Sequence, residues 1–163
     1  MRLKVLCCLP SRCPVIWFLP VFLLFVSGWY WFESRWDRRL FNEEAGRRCL
    51  NVRPQEANEF LQTHPQTQIL DVRSAAEFRR GALPGAVNLE VNDTTYEQKT
   101  GPMDKERPVL VYCSGGYRSR KAVEKLMATG FTDIRHLNRG YHSWRLAGLP
   151  IIKPTPGRGS ERP

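Results

Sequence analysis

The stretch from Val109 to Ala122, VLVYCSGGYRSRKA, ends a β-branched apolar run on one cysteine and follows it with two glycines, an arginine and a helical pattern. A strand ending at Cys113 and a helix starting near Arg118 or Ser119 set the sulfur opposite a helix N-terminus. The unpaired N–H groups and dipole there favour an anion. Gly115 and Gly116 let successive N–H groups turn inward as a nest, and Arg118 and Arg120 add positive charge. Each feature favours the thiolate, which is the nucleophilic form of cysteine. An inert buried cysteine at a strand end, the bland alternative, calls for neither the glycines nor the arginine.

The elements that must position this loop can be read on both sides of it. A short strand is predicted at Cys49–Val52, and Pro54 opens a helix through His64 whose apolar face is Ala57, Phe60 and Leu61. Gln68–Val72 is a buried-type strand. Ser74 and Glu77 form a capping box for a short helix that ends near Gly81. Leu83–Leu89 reads as a turn and a strand, and Val91–Arg107 is polar without a clear period. Pro108–Cys113 is the strongest strand. After the loop, Ser119–Thr129 places Ala122, Val123, Leu126 and Met127 on one helical face, and Gly130 stops it. Asp133–Leu137 is a strand and Tyr141–Gly148 a last short helix. Strands alternating with helices predict a three-layer α/β domain with a mainly parallel sheet over residues 49–152, followed by a disordered tail at 153–163. In such a sheet, sites form beyond the carboxyl ends of the strands.

Residues 13–32, CPVIWFLPVFLLFVSGWYWF, carry no charge. Twenty residues of helix match the roughly 30 Å of a bilayer core, and Trp17 and Trp29–Trp31 lie near the two ends as interfacial belts do. The segment reads as an uncleaved single-pass membrane helix behind a basic tail at 1–12, with a juxtamembrane helix or linker at 33–48. The bulky residues after Gly28 argue against a signal-peptidase cut. Arginines at 35, 38, 39, 47 and 48 outnumber the cations before the span, which leans the domain to the cytoplasmic side.

The net charge of +9 is spread as +4 over residues 1–48, +3 over 49–150 and +2 over the rest. No basic stripe with interleaved aromatics exists, so nucleic acid is not an expected partner. Cys7, Cys8, Cys13, Cys49 and Cys113 make an odd set without regular spacing, hence no disulfide framework. Without a CxxC pair or a Cys/His cluster, no metal site is expected. His64, His136 and His142 are read as surface or helix-end residues, and Cys49 as a buried strand residue.

CSGGYRS resembles the active-site loop of single-domain rhodanese-like sulfurtransferases, with Cys113, Gly116, Arg118 and Ser119 matching. LDVRSAAEFRRGALPGAVNL resembles an earlier signature of that family through Asp71, Val72, Arg73, Glu77, Gly81, Pro84, Gly85 and Ala86. GFTDIRHLNRGYHSWRLAGLP resembles its closing segment through Gly130, Phe131, Gly140, Trp144, Gly148 and Pro150. The resemblance covers roughly Asn51–Ile152 and implies a rhodanese-like fold and ping-pong sulfur transfer. Cys113 would take a sulfane sulfur from a small anionic donor such as thiosulfate, hold it as a persulfide without another cofactor, and pass it to a thiol or cyanide. Ser114, Gly115, Gly116, Tyr117, Arg118 and Ser119 would form the substrate-binding loop, and Asp71 and Arg73 would brace it. Ala82, Ser114 and Asn138–Arg139 depart from the family's usual residues. Two rivals stand beside this reading: a phosphatase or arsenate reductase, whose loop has one more residue between Cys and Arg, and a sulfur-relay or binding module without turnover.

Overall fold

The computed structural model describes residues 15–41, 43–44 and 47–154, which fall into two compact units divided after Arg39. The described part of the first unit is helix α1, Val15–Leu40, with Pro20 inside it; its last residue, Leu40, counts with the second unit. The helix does not stop at Phe32. It runs on through Glu33, Arg35, Asp37, Arg38 and Arg39, so much of the predicted linker is helical and charged. Among the described residues, no helix is long and apolar enough to cross a membrane. The predicted span over 13–32 is corrected to that extent, and the predicted tails at 1–12 and beyond Pro154 lie outside the described residues.

The second unit is an α/β domain around one six-stranded sheet. Its elements, in chain order, are β1 Glu43–Glu44, β2 Arg47–Val52, α2 Pro54–Thr63, β3 Gln68–Asp71, α3 Ala75–Arg80, β4 Val87–Asn88, α4 Tyr96–Thr100, β5 Val109–Tyr112, α5 Tyr117–Ala128, β6 Asp133–Leu137 and α6 Gly140–Leu146. The strand order is β1-β2-β6-β5-β3-β4. Among the described strands, β1 and β2 pair antiparallel and the other pairs are parallel, in keeping with the expected mainly parallel sheet. The polar stretch before β5, unassigned from sequence, contributes α4.

All four residues of β5 are buried, the signature of a strand covered on both faces. Leu110 and Tyr112 join Val52, Ala57, Leu137, Tyr141 and Trp144 in one core between the sheet and helices α2 and α6. Val109 and Val111 point the other way by strand alternation, toward the side on which α5 buries Ala122, Val123 and Leu126. Cys113 therefore leaves an interior strand, flanked by the C-terminal ends of β3 and β6.

Two devices hold those ends. Asp71, wholly buried, accepts hydrogen bonds from the backbone N–H of Arg73 and from its guanidinium, at 2.9 Å for Nε. Arg73 in turn donates to Gly81 O at 2.7 Å and lies 4.2 Å from the Tyr141 ring centre. At the start of α6, Tyr141 N–H donates to Cys113 O at 2.7 Å and His142 N–H to Ser114 O at 3.1 Å. Gly140, at φ 58°, makes that approach possible: a Cβ there would run into the Cys113 carbonyl.

Gly140→Ala combines strain at positive φ with a backbone clash. We expect a loss of about 2 kcal/mol or more in urea unfolding, together with loss of reactivity at Cys113. An unchanged midpoint would show that α6 does not seat the nucleophile.

Candidate active site

The site forms where β5 gives way to α5. The intervening residues, Cys113 to Gly116, turn at Gly116 (φ 105°), which caps α5 in a left-handed conformation. Helix α5 starts at Tyr117, one or two residues before the expected point, so Arg118 and Ser119 lie in its first turn. Cys113 is 2% exposed. Its Sγ accepts from Gly116 N–H at 3.1 Å and lies 3.4 Å from the Ser119 hydroxyl. Of the expected loop residues, these three meet at the sulfur. Gly115 and Tyr117 face solvent instead, and Lys121 Nζ lies 5.2 Å from the Tyr117 ring centre.

Arg118 does something the sequence reading did not foresee. Its guanidinium grips Glu77 through two hydrogen bonds, both 2.7 Å, and reaches Ser114 Oγ at 2.8 Å. Ser114 Oγ donates to the same carboxylate at 2.6 Å. Glu77 is also the far half of the predicted capping box, accepting from Ser74 N–H at 3.1 Å while Glu77 N–H donates to Ser74 Oγ at 3.3 Å. The Arg118 guanidinium, helped by Ser114 and Ser74, holds the Glu77 carboxyl well below the usual carboxylate range. The expected free charge of Arg118 is thus paired, and it works as a tie between α3 and the loop. Such an arginine–carboxylate fork fixes geometry as well as charge.

The resemblance implied that Asp71 and Arg73 brace the loop; the structure places both, buried, at the end of β3 and just beyond it. Their hydrogen bonds go to each other and to Gly81, while Asn88 donates to the carbonyls of Asp71 and Arg73. Neither is hydrogen-bonded to Cys113. Ala82 is buried and pairs with Ile152 in an antiparallel bridge, a packing role.

His136 is not the surface or helix-end residue that was expected. It is buried on β6, opposite Val111 of β5, with Nε2 at 2.8 Å from Ser119 Oγ. Sequence reasoning missed it because nothing in linear spacing connects positions 136 and 119. The parallel pairing of β5 and β6 makes the contact, and the alternation of buried residues along β6 was the available clue. The other two histidines are as expected: His64 caps α2 and His142 is exposed. Cys49 is a buried residue of β2.

Comparison with known proteins bears on the family and the fold. The chain is 34% identical over 86 residues to a sulfurtransferase of Allochromatium vinosum, spanning 53% of this chain and 78% of that one. It is 35% identical over 80 residues to the thiosulfate sulfurtransferase GlpE of Shewanella oneidensis, spanning 49% and 77%. Among solved structures, a rhodanese-like domain protein of Staphylococcus aureus superimposes with a TM-score of 0.52 at 30% identity, covering 58% of this chain and 89% of that one. A rhodanese-related protein of Thermoplasma volcanium shares the fold, with a TM-score of 0.57 at 24% identity over 64% and 98%. The profile of the rhodanese-like domain matches residues 53–147, more than half of the chain, and the chain therefore belongs to the rhodanese-like family.

Proposed function

We propose that this chain is a sulfurtransferase whose nucleophile is Cys113. The observation that carries the reading is a lone buried sulfur that accepts from Gly116 N–H and sits beside the Ser119 hydroxyl, inside a loop only four residues long between Cys113 and Arg118. A cradle of that size suits one added sulfur atom better than a phosphate. The similarity to sulfurtransferases supports the same reading.

The chemistry follows in two displacements. The Cys113 thiolate attacks the outer sulfur of a donor such as thiosulfate; the donor's S–S bond breaks and sulfite leaves with the electron pair. The new persulfide carries its charge on the terminal sulfur, where preorganised N–H groups stabilise it as they would a developing oxyanion. An acceptor nucleophile, a thiolate or cyanide, then attacks that terminal sulfur and returns the Cys113 thiolate. No metal is required by either step.

One observation favours a second reading, a relay that receives sulfur from another protein. Because Arg118 is spent on Glu77, the mouth of the loop offers less attraction to a small dianion. A partner presenting a persulfide would need no such attraction.

The thiosulfate–cyanide assay tests the proposal. The full chain should produce thiocyanate, and Cys113→Ser should abolish it, by roughly a thousand-fold or more. Activity retained in the variant would remove Cys113 from the mechanism. Wild type inactive with thiosulfate but active with a protein persulfide would select the relay.

The tie to α3 yields a pH prediction. Glu77 titrates below its unfolded value near 4.3, so its contribution to stability is complete above that value and is lost as pH falls through the lower folded one. Glu77→Gln should cost about 1 kcal/mol at neutral pH, and the gap from wild type should close on acidification. Urea unfolding from pH 7 down to about 3 checks this; a gap that does not change with pH would contradict it.

A further inference from the structure

Among the described residues, Arg139 is the one non-glycine residue with a positive φ, at 54°. A side chain bearing a Cβ is strained there, whereas glycine takes that conformation freely. The surroundings fix the turn on both sides. Asn138 N–H donates to Val52 O at 2.8 Å, and Ser143 Oγ donates to the carbonyls of Asn138 and Gly140 at 2.6 and 2.8 Å. Strain held in place this way points to a function for the side chain that incurs it.

The turn stands against the sulfur cradle. Arg139 N lies 3.6 Å from the point where a Cβ on Gly116 would stand, and Gly116 N–H is the donor to Cys113 Sγ. One residue further on, the backbone of Gly140 packs against the Cys113 carbonyl. Gly140 is buried while Arg139 is exposed, so the arginine side chain is what this turn presents to solvent beside the nucleophile.

The cations around the loop differ in what they already hold. Arg73 is paired with Asp71 and Arg118 with Glu77. Arg120 Nη1 comes within 3.7 Å of the same point above Gly116 and adds to the positive field there. The Arg139 guanidinium has neither a carboxylate nor a carbonyl partner among the described residues. Its planar fork of donors matches two oxygens of one oxyanion, and it supplies beside the loop the charge that Glu77 withdraws from Arg118.

We propose that Arg139 is a substrate-binding residue that captures the oxyanion end of a sulfur donor, such as the sulfonate of thiosulfate, and leaves the outer sulfur to Cys113. In the first displacement a bond forms between Sγ and that outer sulfur as the donor's own S–S bond breaks, and sulfite leaves with the electron pair. Arg139 holds the oxygens that depart with the sulfite. The donor class rests on the sulfurtransferase reading above; the capture of an anion beside Cys113 does not.

Two alkylating agents separate anion capture from sulfur transfer. Iodoacetate carries a negative charge and iodoacetamide none, and both add to the Cys113 thiolate by displacing iodide. Their rates are followed on the Cys113 peptide of the full chain by mass spectrometry. Arg139→Gln keeps a Cβ, and so the same backbone, and should lower the iodoacetate-to-iodoacetamide rate ratio roughly fivefold at low salt, the effect of one unit charge about 4 Å away in water. Arg139→Lys should restore most of the ratio, and added salt should shrink the difference between wild type and Arg139→Gln. Arg139→Gly, free of strain, should lose the ratio equally while unfolding at a higher urea concentration, so a damaged fold cannot imitate the result. In the thiosulfate–cyanide assay, kcat/KM for thiosulfate should fall by a similar factor in Arg139→Gln. An unchanged alkylation ratio in Arg139→Gln would overturn the proposal. A lowered ratio in a chain that yields no thiocyanate would uphold the anion site and refute sulfur transfer from thiosulfate instead.

Discussion

The Glu77 carboxylate is where the two halves of the site meet. One oxygen closes the cap of α3 by accepting from Ser74, and the pair together grips the Arg118 guanidinium in the first turn of α5. Ser114, next to the nucleophile, hydrogen-bonds into the same cluster. Helix α3 follows β3, and α5 follows β5, so one carboxylate ties together segments that leave neighbouring strands. Without that tie, the loop around Cys113 would be anchored at the strand and at α6 but not along its outer side. An arginine fork is suited to this work because its geometry is set by the planar guanidinium rather than by a flexible stem.

Burial of the sulfur then follows from backbone rather than from bulk. The start of α6 donates to the carbonyls of Cys113 and Ser114, which is possible only because Gly140 lets the two chains approach. The preceding residue, Arg139, takes a left-handed conformation (φ 54°) without being glycine. That position is strained for a side chain bearing a Cβ. The site thus spends some stability on holding α6 against the loop. In return, the sulfur sits 2% exposed among donors already in place, and preorganised donors cost no reorganisation when charge appears.

Much of this was legible in the chain itself. Pro108–Cys113 could be read as the strongest strand from its β-branched apolar run, observed at Val109–Tyr112, and the strand expected at Asp133–Leu137 lies at those residues. The capping box at Ser74 and Glu77 was visible because its partners are three residues apart. The contacts that were not legible are those between residues far apart in sequence. Glu77 and Arg118 are 41 residues apart, and Asn51 and His136 85 apart; strand order, not local pattern, brings them together. Arg118 accordingly looked like free charge, and His136 like a surface residue. At the N-terminus, the apolar run was read as ending at Phe32 with a juxtamembrane helix or linker after it, and the helix continues through Leu40, with no Gly or Pro between Glu33 and Arg39 to stop it.

These features set one buried sulfur, Cys113, among donors already in place, and the sulfur transfer proposed for it is the central claim. Mass spectrometry of the full chain after thiosulfate treatment tests that claim most directly. The account predicts one added sulfur atom, located on the Cys113 peptide and removed by cyanide. A Cys113 that gains no sulfur at any thiosulfate concentration or from a protein persulfide, in folded protein whose thiol is still alkylated, would contradict it.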